Sequence, residues 1–159
     1  MAEVAYLSLG SNLGDREANL REAITQLKVA GSIRALSSFY ETQPVELQDQ
    51  PWFVNCVVEL ETQSTPIELL KSVLAIEARM GRLRLRDKGP RKIDIDLLLF
   101  GDQVINEASL TIPHPKMHER RFVLVPLVEI APDARNPILN KTASEILSAL
   151  FADQIVRRM

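Results

Sequence analysis

At 159 residues the chain has the length of one domain with a substantial core, and we expect residues 1–159 to form a single unit. Its 46% hydrophobic and 25% charged residues are typical of a soluble globular protein, and no apolar run reaches the roughly 18 residues of a membrane helix. The net charge of −2 argues against a nucleic-acid-binding protein, and the single cysteine excludes an internal disulfide, so we expect a cytoplasmic monomer.

The first part of the chain alternates between strand-like and helix-like segments. Residues 4–9 predict a strand, and Asp15 is a typical N-cap for the helical apolar spacing that follows. Residues 33–40 and 53–61 predict two more strands. Between them, residues 41–51 are polar, contain prolines and predict an irregular connection.

The second part begins with a helix signal at residues 65–68, where a capping box carries proline at the first helical position. This helix should end near residue 80. Residues 93–100 have the β-branched and apolar content of a strand that is buried on both faces. A small hairpin, a helix and a short C-terminal helix are predicted at 104–112, 120–130 and from 142 onward.

The order of these elements, β-α-β-β-α-β, predicts a ferredoxin-like α+β core with a C-terminal helical and hairpin extension. Right-handed crossovers would place the two core helices on one face of an antiparallel sheet. We expect the first and fourth strands to be adjacent or to lie at the centre of the sheet.

The fourth strand carries the most informative pattern, because Asp94 and Asp96 interrupt an otherwise apolar segment. Residues two apart in a strand point to the same side, so these carboxylates should lie together. Neighbouring desolvated carboxylates are costly unless a cation lies between them, which predicts a site for one or two hard divalent cations. The alternative is an exposed edge strand balanced by nearby lysines, and the apolar run at 97–100 argues against it.

A basic segment precedes this strand and contains Arg82, Arg84, Arg86, Lys88 and Arg91. Arginine binds phosphate through two parallel hydrogen bonds, so the segment predicts binding of a metal-bound polyphosphate. Arg82 and Arg91 are the preferred candidates because they lie nearest the predicted helix and strand. The chain has no Walker motif, and the alternative is a solvated charged loop.

Two further groups have both a functional and an ordinary interpretation. His114, Lys116, Arg120 and Arg121 could form a second positive group for phosphates, or a surface turn before a helix. Two histidines without further ligands in register make a zinc site improbable. Aromatic residues and one carboxamide, at Trp52, Phe53, Asn55 and Phe122, could enclose a flat heterocycle and bind its edge, or could pack in the core.

Five segments of the chain resemble the 6-hydroxymethyl-7,8-dihydropterin pyrophosphokinase family of folate biosynthesis. In chain order they are Gly-Ser-Asn-Leu-Gly at 10–14, Ser-Phe-Tyr-Glu-Thr at 38–42, Asp-Gln-Pro-Trp-Phe-Val-Asn at 49–55, Gly-Pro-Arg-Lys-Ile-Asp-Ile-Asp at 89–96 and Pro-His-Pro-Lys-Met-His-Glu-Arg-Arg-Phe-Val-Leu at 113–124. The resemblance implies a ferredoxin-like fold and transfer of the β,γ-diphosphate of ATP to the pterin hydroxymethyl oxygen, with release of AMP.

The resemblance also implies roles for particular residues. Asp94 and Asp96 would hold two magnesium ions, and together with Arg82 and Arg91 they would form the catalytic group. ATP would be bound by Glu77, Arg82, Arg84, Arg91, Leu97, Thr111, His114 and Arg120. The pterin would lie between Phe53 and Phe122, and its edge would be bound by Asn55 and the backbone of Thr42, Pro44 and Val45. The sequence departs from some members at Gln43, Phe53 and Lys88, none of which is a predicted metal ligand.

Two other functions were compared with this interpretation. A two-metal nucleotidyl transferase or nuclease could also use paired aspartates, but it would need a basic groove, and the chain is slightly acidic overall. A ferredoxin-like ligand-sensing domain would require neither both aspartates nor the arginines. Small-molecule substrates, without a nucleic-acid or membrane partner, are therefore expected.

Overall fold

The computed structural model describes residues 2–45, 49–81 and 90–159. The first part contains β1 (Glu3–Ser11), α1 (Arg16–Leu27), β2 (Ser32–Leu36), β3 (Tyr40–Thr42) and β4 (Phe53–Thr62). The second part contains α2 (Pro66–Arg79), β5 (Asp94–Phe100), β6 (Ile105–Asn106), β7 (Thr111–Ile112), α3 (Arg121–Ile130), β8 (Arg135–Asn136), β9 (Lys141–Thr142), α4 (Ala143–Ser148) and β10 (Val156–Arg158).

The main sheet is antiparallel and has the strand order β10-β3-β4-β1-β5, with β2 also paired to β4. This arrangement confirms the predicted ferredoxin-like α+β fold, since β1 lies between β4 and β5, the two strands that are joined through α2. The predicted hairpin is confirmed as β6–β7. Among the residues that the structure describes, no helix has the length and apolar content needed to cross a membrane.

The strand predicted at 33–40 is two shorter strands, because Ser37 interrupts the pairing with β4. Ser37 N donates to Val57 O at 3.0 Å, while Val57 N donates to the Ser37 Oγ at 2.9 Å. A side-chain oxygen thus replaces a backbone acceptor, and the chain changes direction between β2 and β3. The strand β10 and the hairpin β8–β9 were not predicted.

β5 pairs with β1 as predicted, but it does not lie at the centre of the sheet. In the described part of the chain it pairs with β1 alone and ends the strand order. Its apolar content follows from coverage of both faces: Ile95 and Leu97 belong to the core under α1 and α2, whereas Leu98 and Leu99 belong to the core under α3. An apolar segment such as 97–100 can therefore occupy the edge of this sheet, contrary to the prediction.

The helices lie on both sides of the sheet. α1 and α2 pack on one face, as predicted, and bury residues such as Leu20 and Leu69. Both helices begin at the predicted caps, since Asp15 accepts a hydrogen bond from Ala18 N and Thr65 forms a complete capping box with Glu68. α3 and α4 cover the opposite face, and this second layer carries part of the candidate site.

Candidate active site

The strand register brings polar residues into line at one end of the sheet. Gly10 of β1 lies opposite both Asn55 of β4 and Asp94 of β5, and Ser8 lies opposite Asp96. Ile95, between the two aspartates, is buried toward α1 and α2. Because neighbouring strand residues point to opposite faces, both carboxylates lie on the α3 face, which confirms the prediction that they share one side of the strand.

Each carboxylate has an arginine beside it. Arg91 Nη1 lies 3.5 Å from Asp94 Oδ2, and Arg120 Nη1 lies 3.9 Å from Asp96 Oδ2. The side chains of Asp94 and Asp96 are 25% and 32% exposed, so both can be reached from solvent. The two carboxylates thus lie beside guanidinium groups, which can bind phosphate oxygens.

The donor set fits a hard divalent cation that also binds a second molecule. Within the described ranges, no group of three or more histidine, cysteine, aspartate or glutamate side chains is placed to hold a metal ion. Two carboxylates such as Asp94 and Asp96 supply only part of an octahedral shell, so phosphate oxygens and water would have to complete it. Asp94 and Asp96 therefore fit a cation that is shared with a phosphate-bearing molecule.

Glu77 of α2 connects the core to this strand. Glu77 is only 5% exposed, and its Oε2 accepts a hydrogen bond from Ile95 N at 2.9 Å. Glu77 therefore provides an acceptor for a backbone N–H of an edge strand, at the position between the two aspartates. This contact fixes the strand from the side opposite to the predicted metal site.

A cleft of about 260 Å³ opens next to Asp96 and includes Leu97, Thr111 and His114, three of the predicted ATP-binding residues. The rest of its lining comes from Leu70, Ile95, Ala108, Ser109, Leu110 and Pro115. The sequence did not predict these contributions, although the predicted hairpin at 104–112 contains three of them. Apolar walls with a few polar groups suit a nucleoside.

A larger cleft lies elsewhere and contains none of the predicted site residues. It has a volume of about 610 Å³ and is lined by residues such as Lys28, Glu61 and Glu68. Glu61 pairs with Val4 in the register that places Asn55 opposite Gly10, so this cleft lies at the other end of the sheet. Its size does not make it the better candidate, because it lacks the paired carboxylates.

His114 corrects one sequence prediction, because its imidazole does not add positive charge near neutral pH. Burial, with Arg120 and Lys116 nearby, lowers the pKa of His114 to about 4, against an opposing effect of Asp94. Its Nδ1 accepts a hydrogen bond from Lys116 N at 3.1 Å, so the neutral ring carries its proton on Nε2. His114 is therefore a hydrogen-bond donor near neutral pH.

The predicted pterin-binding residues form the other half of the site, called here the pterin side: Thr42, Pro44, Val45, Phe53, Asn55 and Phe122. Asn55 is 4% exposed; Thr42 Oγ1 donates to its Oδ1 at 2.5 Å, and its Nδ2 donates to Leu9 O at 3.3 Å. A Cβ at Gly10 would lie 2.5 Å from Asn55 Nδ2, so only glycine leaves room for this amide.

The aromatic residues of the pterin side, Phe53 and Phe122, are half-buried, and Phe122 also packs against the core under α3. Phe53 begins β4 and Phe122 lies in the first turn of α3. The Arg120 guanidinium lies 5.5 Å from the centre of the Phe122 ring, which links this side to Asp96 through a single arginine. Thr42 and Pro44 are buried, whereas Val45 is 44% exposed.

Two predicted residues, Arg82 and Arg84, lie outside the described part of the chain. The structure brings the other predicted ATP, metal and pterin residues to one end of the sheet. It also shows a residue whose role the sequence did not reveal. Asn12, 2% exposed, donates to Gln50 Oε1 and Pro51 O at 2.8 and 2.9 Å and accepts from Arg91 N at 2.7 Å.

Comparison with known proteins agrees with the family resemblance of the sequence. The family model for 7,8-dihydro-6-hydroxymethylpterin-pyrophosphokinase (HPPK) matches residues 6–132. The 2-amino-4-hydroxy-6-hydroxymethyldihydropteridine pyrophosphokinase of Bacillus subtilis is 47% identical over 132 residues, covering 82% of this chain and 79% of that protein. The Methylorubrum extorquens protein of the same name is 45% identical over 155 residues, covering 96% and 97%.

Other relatives are much longer than this chain. The folic acid synthesis protein fol1 of Schizosaccharomyces pombe is 43% identical over 150 residues, which cover 93% of this chain but only 20% of that protein. The solved structure of wild-type Plasmodium falciparum HPPK-DHPS with pteroate has a TM-score of 0.73 at 18% identity, covering 93% of this chain and 42% of that chain. This likeness shows the shared fold. The chain therefore belongs to the 7,8-dihydro-6-hydroxymethylpterin-pyrophosphokinase family, whose members are diphosphate-transferring enzymes of folate synthesis.

Proposed function

We propose that this chain transfers the diphosphate of ATP to the hydroxymethyl group of 6-hydroxymethyl-7,8-dihydropterin, with AMP as the second product. The observation that carries the proposal is the pair Asp94 and Asp96, each beside an arginine and both directed to the same face of the sheet. The cleft of about 260 Å³, which would hold the nucleotide, lies next to one flank of this pair, and the pterin side lies next to the other flank.

Asp94 and Asp96 are proposed to hold two magnesium ions against the triphosphate. Bound magnesium would neutralise phosphate charge and orient the β-phosphate for attack. Arg91 and Arg120 lie beside the carboxylates. Their guanidinium groups would also donate hydrogen bonds to phosphate oxygens of the nucleotide. Arg82 and Arg84 are proposed as further phosphate contacts on the strength of the family resemblance.

The remaining ATP contacts follow from the cleft. Leu97 and Thr111 line it next to Asp96, where they would contact the nucleoside, and His114 would donate its Nε2–H to a phosphate oxygen. Glu77 would act from beneath the strand by fixing the backbone between the aspartates. These contacts would hold the β-phosphorus in line with the attacking hydroxyl, which lowers the entropic part of the barrier.

On the pterin side, the ring would lie between Phe53 and Phe122, while Asn55 and the backbone at 42–45 would bind its polar edge. The pterin hydroxyl oxygen attacks the β-phosphorus, the bond from that phosphorus to the α-phosphate oxygen breaks, and AMP leaves. The hydroxyl proton is released in the same process. Asp96 is a candidate acceptor only where a metal ion does not occupy it fully.

The test is phosphorus NMR of ATP, magnesium and hydroxymethyl-dihydropterin with the protein. We expect AMP and a diphosphorylated pterin, whereas ADP and phosphate would contradict the proposal. Asp96→Asn should lower the rate by at least about 100-fold, in the range of a lost charge-stabilising group, without loss of fold. Asp133→Asn, an exposed aspartate in the turn after α3, is the matched control and should keep the wild-type rate.

We also propose that the protein is a cytoplasmic monomer that needs no nucleic acid. Residues 1–159 would act as one domain. Size-exclusion chromatography with light scattering would test the monomeric state. Tight binding of single-stranded oligonucleotides would instead favour the nuclease alternative.

A further inference from the structure

The C-terminal strand β10 runs along the pterin side of the site. It pairs with β3 so that Val156 lies opposite Thr42. The pairing continues beyond β10, because Gln43 N donates to Ile155 O at 3.0 Å and Ile155 N donates to Gln43 Oε1 at 3.2 Å. The end of the chain thus holds the backbone immediately before Pro44.

Gln154 joins this strand edge to the first turn of α3. The residue is 8% exposed, and its side-chain amide is used at both ends: Nε2 donates to Gln43 O at 2.5 Å and Oε1 accepts from Phe122 N at 3.2 Å. Its backbone oxygen also accepts from Arg121 Nε at 3.2 Å. The first N–H groups of a helix lack partners within it, and Arg120 gives α3 no side-chain cap. Gln154 supplies that cap from a distant part of the chain.

The two side-chain hydrogen bonds of Gln154 therefore connect two walls of the pterin side. One wall is the backbone at residues 42–45, and the other is the start of α3, which carries Arg120 and Phe122. We propose that Gln154 is a positioning residue that sets the separation of these walls and so the affinity for the pterin. This inference rests on the proposed function, because it assigns Phe122 to pterin binding. Gln154 acts through its two neighbours, Gln43 and Phe122.

The inference is tested with Gln154→Met, which keeps the length of the side chain and removes both hydrogen bonds, and with Gln154→Asn, which keeps the amide but cannot span the gap. We expect the KM for the pterin to rise about fivefold to tenfold, as for one lost buried hydrogen bond, while the KM for ATP stays within about twofold. If the methionine variant does not fold, the asparagine variant carries the test.

Asn136→Ala is the matched control, because this buried amide accepts hydrogen bonds from Ile138 N and Leu139 N in the β8–β9 turn. It should lower the melting temperature and leave both KM values unchanged. An unchanged pterin KM in the folded Gln154 variants, or an equal rise of both KM values, would overturn the positioning role. If the wild-type protein forms no AMP with the pterin present, the proposed function fails first and this inference fails with it.

Discussion

Protonation of His114 should destabilise the fold in a pH range that can be calculated. Burial lowers the pKa of His114 to about 4, whereas the unfolded chain has the ordinary value of 6.5. Between these values the unfolded state binds a proton that the native state does not, so stability falls as the pH falls from 6.5 to 4. The lost free energy of unfolding is roughly 1.4 kcal/mol at pH 5.5 and about 3 kcal/mol at pH 4.

The assay is urea unfolding of the wild-type protein and of His114→Gln, measured from pH 7 to pH 4 without metal or nucleotide. Glutamine can donate a hydrogen bond but does not titrate, so the difference between the two proteins isolates the imidazole from the carboxylates. His118→Gln is the matched control because the His118 side chain is 41% exposed. Curves of wild type and His114→Gln that stay parallel over this range would refute the neutral, buried imidazole.

Three other predictions follow from the contacts of the site and the core. Gly10→Ala should raise the KM for the pterin because the added methyl displaces the Asn55 amide; an unchanged KM would contradict the proposed role of that amide. Asn12→Ala should lower kcat at saturating substrates because it releases the backbone of Arg91, and a change in KM alone would contradict this reasoning. Burial raises the pKa of the Cys56 thiol to about 12, so a thiol reagent at pH 8 should modify Cys56 only when the core opens, and no faster than the protein unfolds; rapid labelling of the native protein would contradict this.

The sequence revealed those parts of the fold that depend on short-range patterns. The period-two spacing of Asp94 and Asp96 predicted one shared face, and the caps at Asp15 and Thr65 predicted two helix starts that the structure confirms. These features need only a few neighbouring residues to be recognised. The predicted order of strands and helices then determined the ferredoxin-like topology through the handedness of its crossovers.

The parts that could not be predicted depend on contacts between distant segments. β10 is a three-residue strand with two exposed arginines, and it becomes a strand through its pairing with the distant β3. Gln154 looks like any surface glutamine in the sequence, because its partners Gln43 and Phe122 lie 111 and 32 residues away. The prediction that His114 adds positive charge was wrong for the same reason, because burial by other segments lowers the pKa of its imidazole.

An irregularity in β5 explains how one strand serves both the site and the core beneath α3. The register with β1 shifts between Tyr6 and Leu7, so that Tyr6 faces Leu99 and Leu7 faces Leu97. Leu98 is the extra residue, and both it and Leu99 pack in the core under α3, while Phe100 returns to the other core. A bulge of this kind changes which face the following residues occupy.

This change gives α3 an apolar contact on the same face as the carboxylates. Leu98 and Leu99 pack in one core with Val123 and Leu127 of α3. Leu98 is the next residue after Asp96 that points to this face of the strand. Packing of the helix body therefore fixes the start of α3, where Arg120 and Phe122 of the proposed site lie. Without the extra residue, Leu99 would face α1 and α2, and α3 would lose one of the two leucines that hold it over the aspartates.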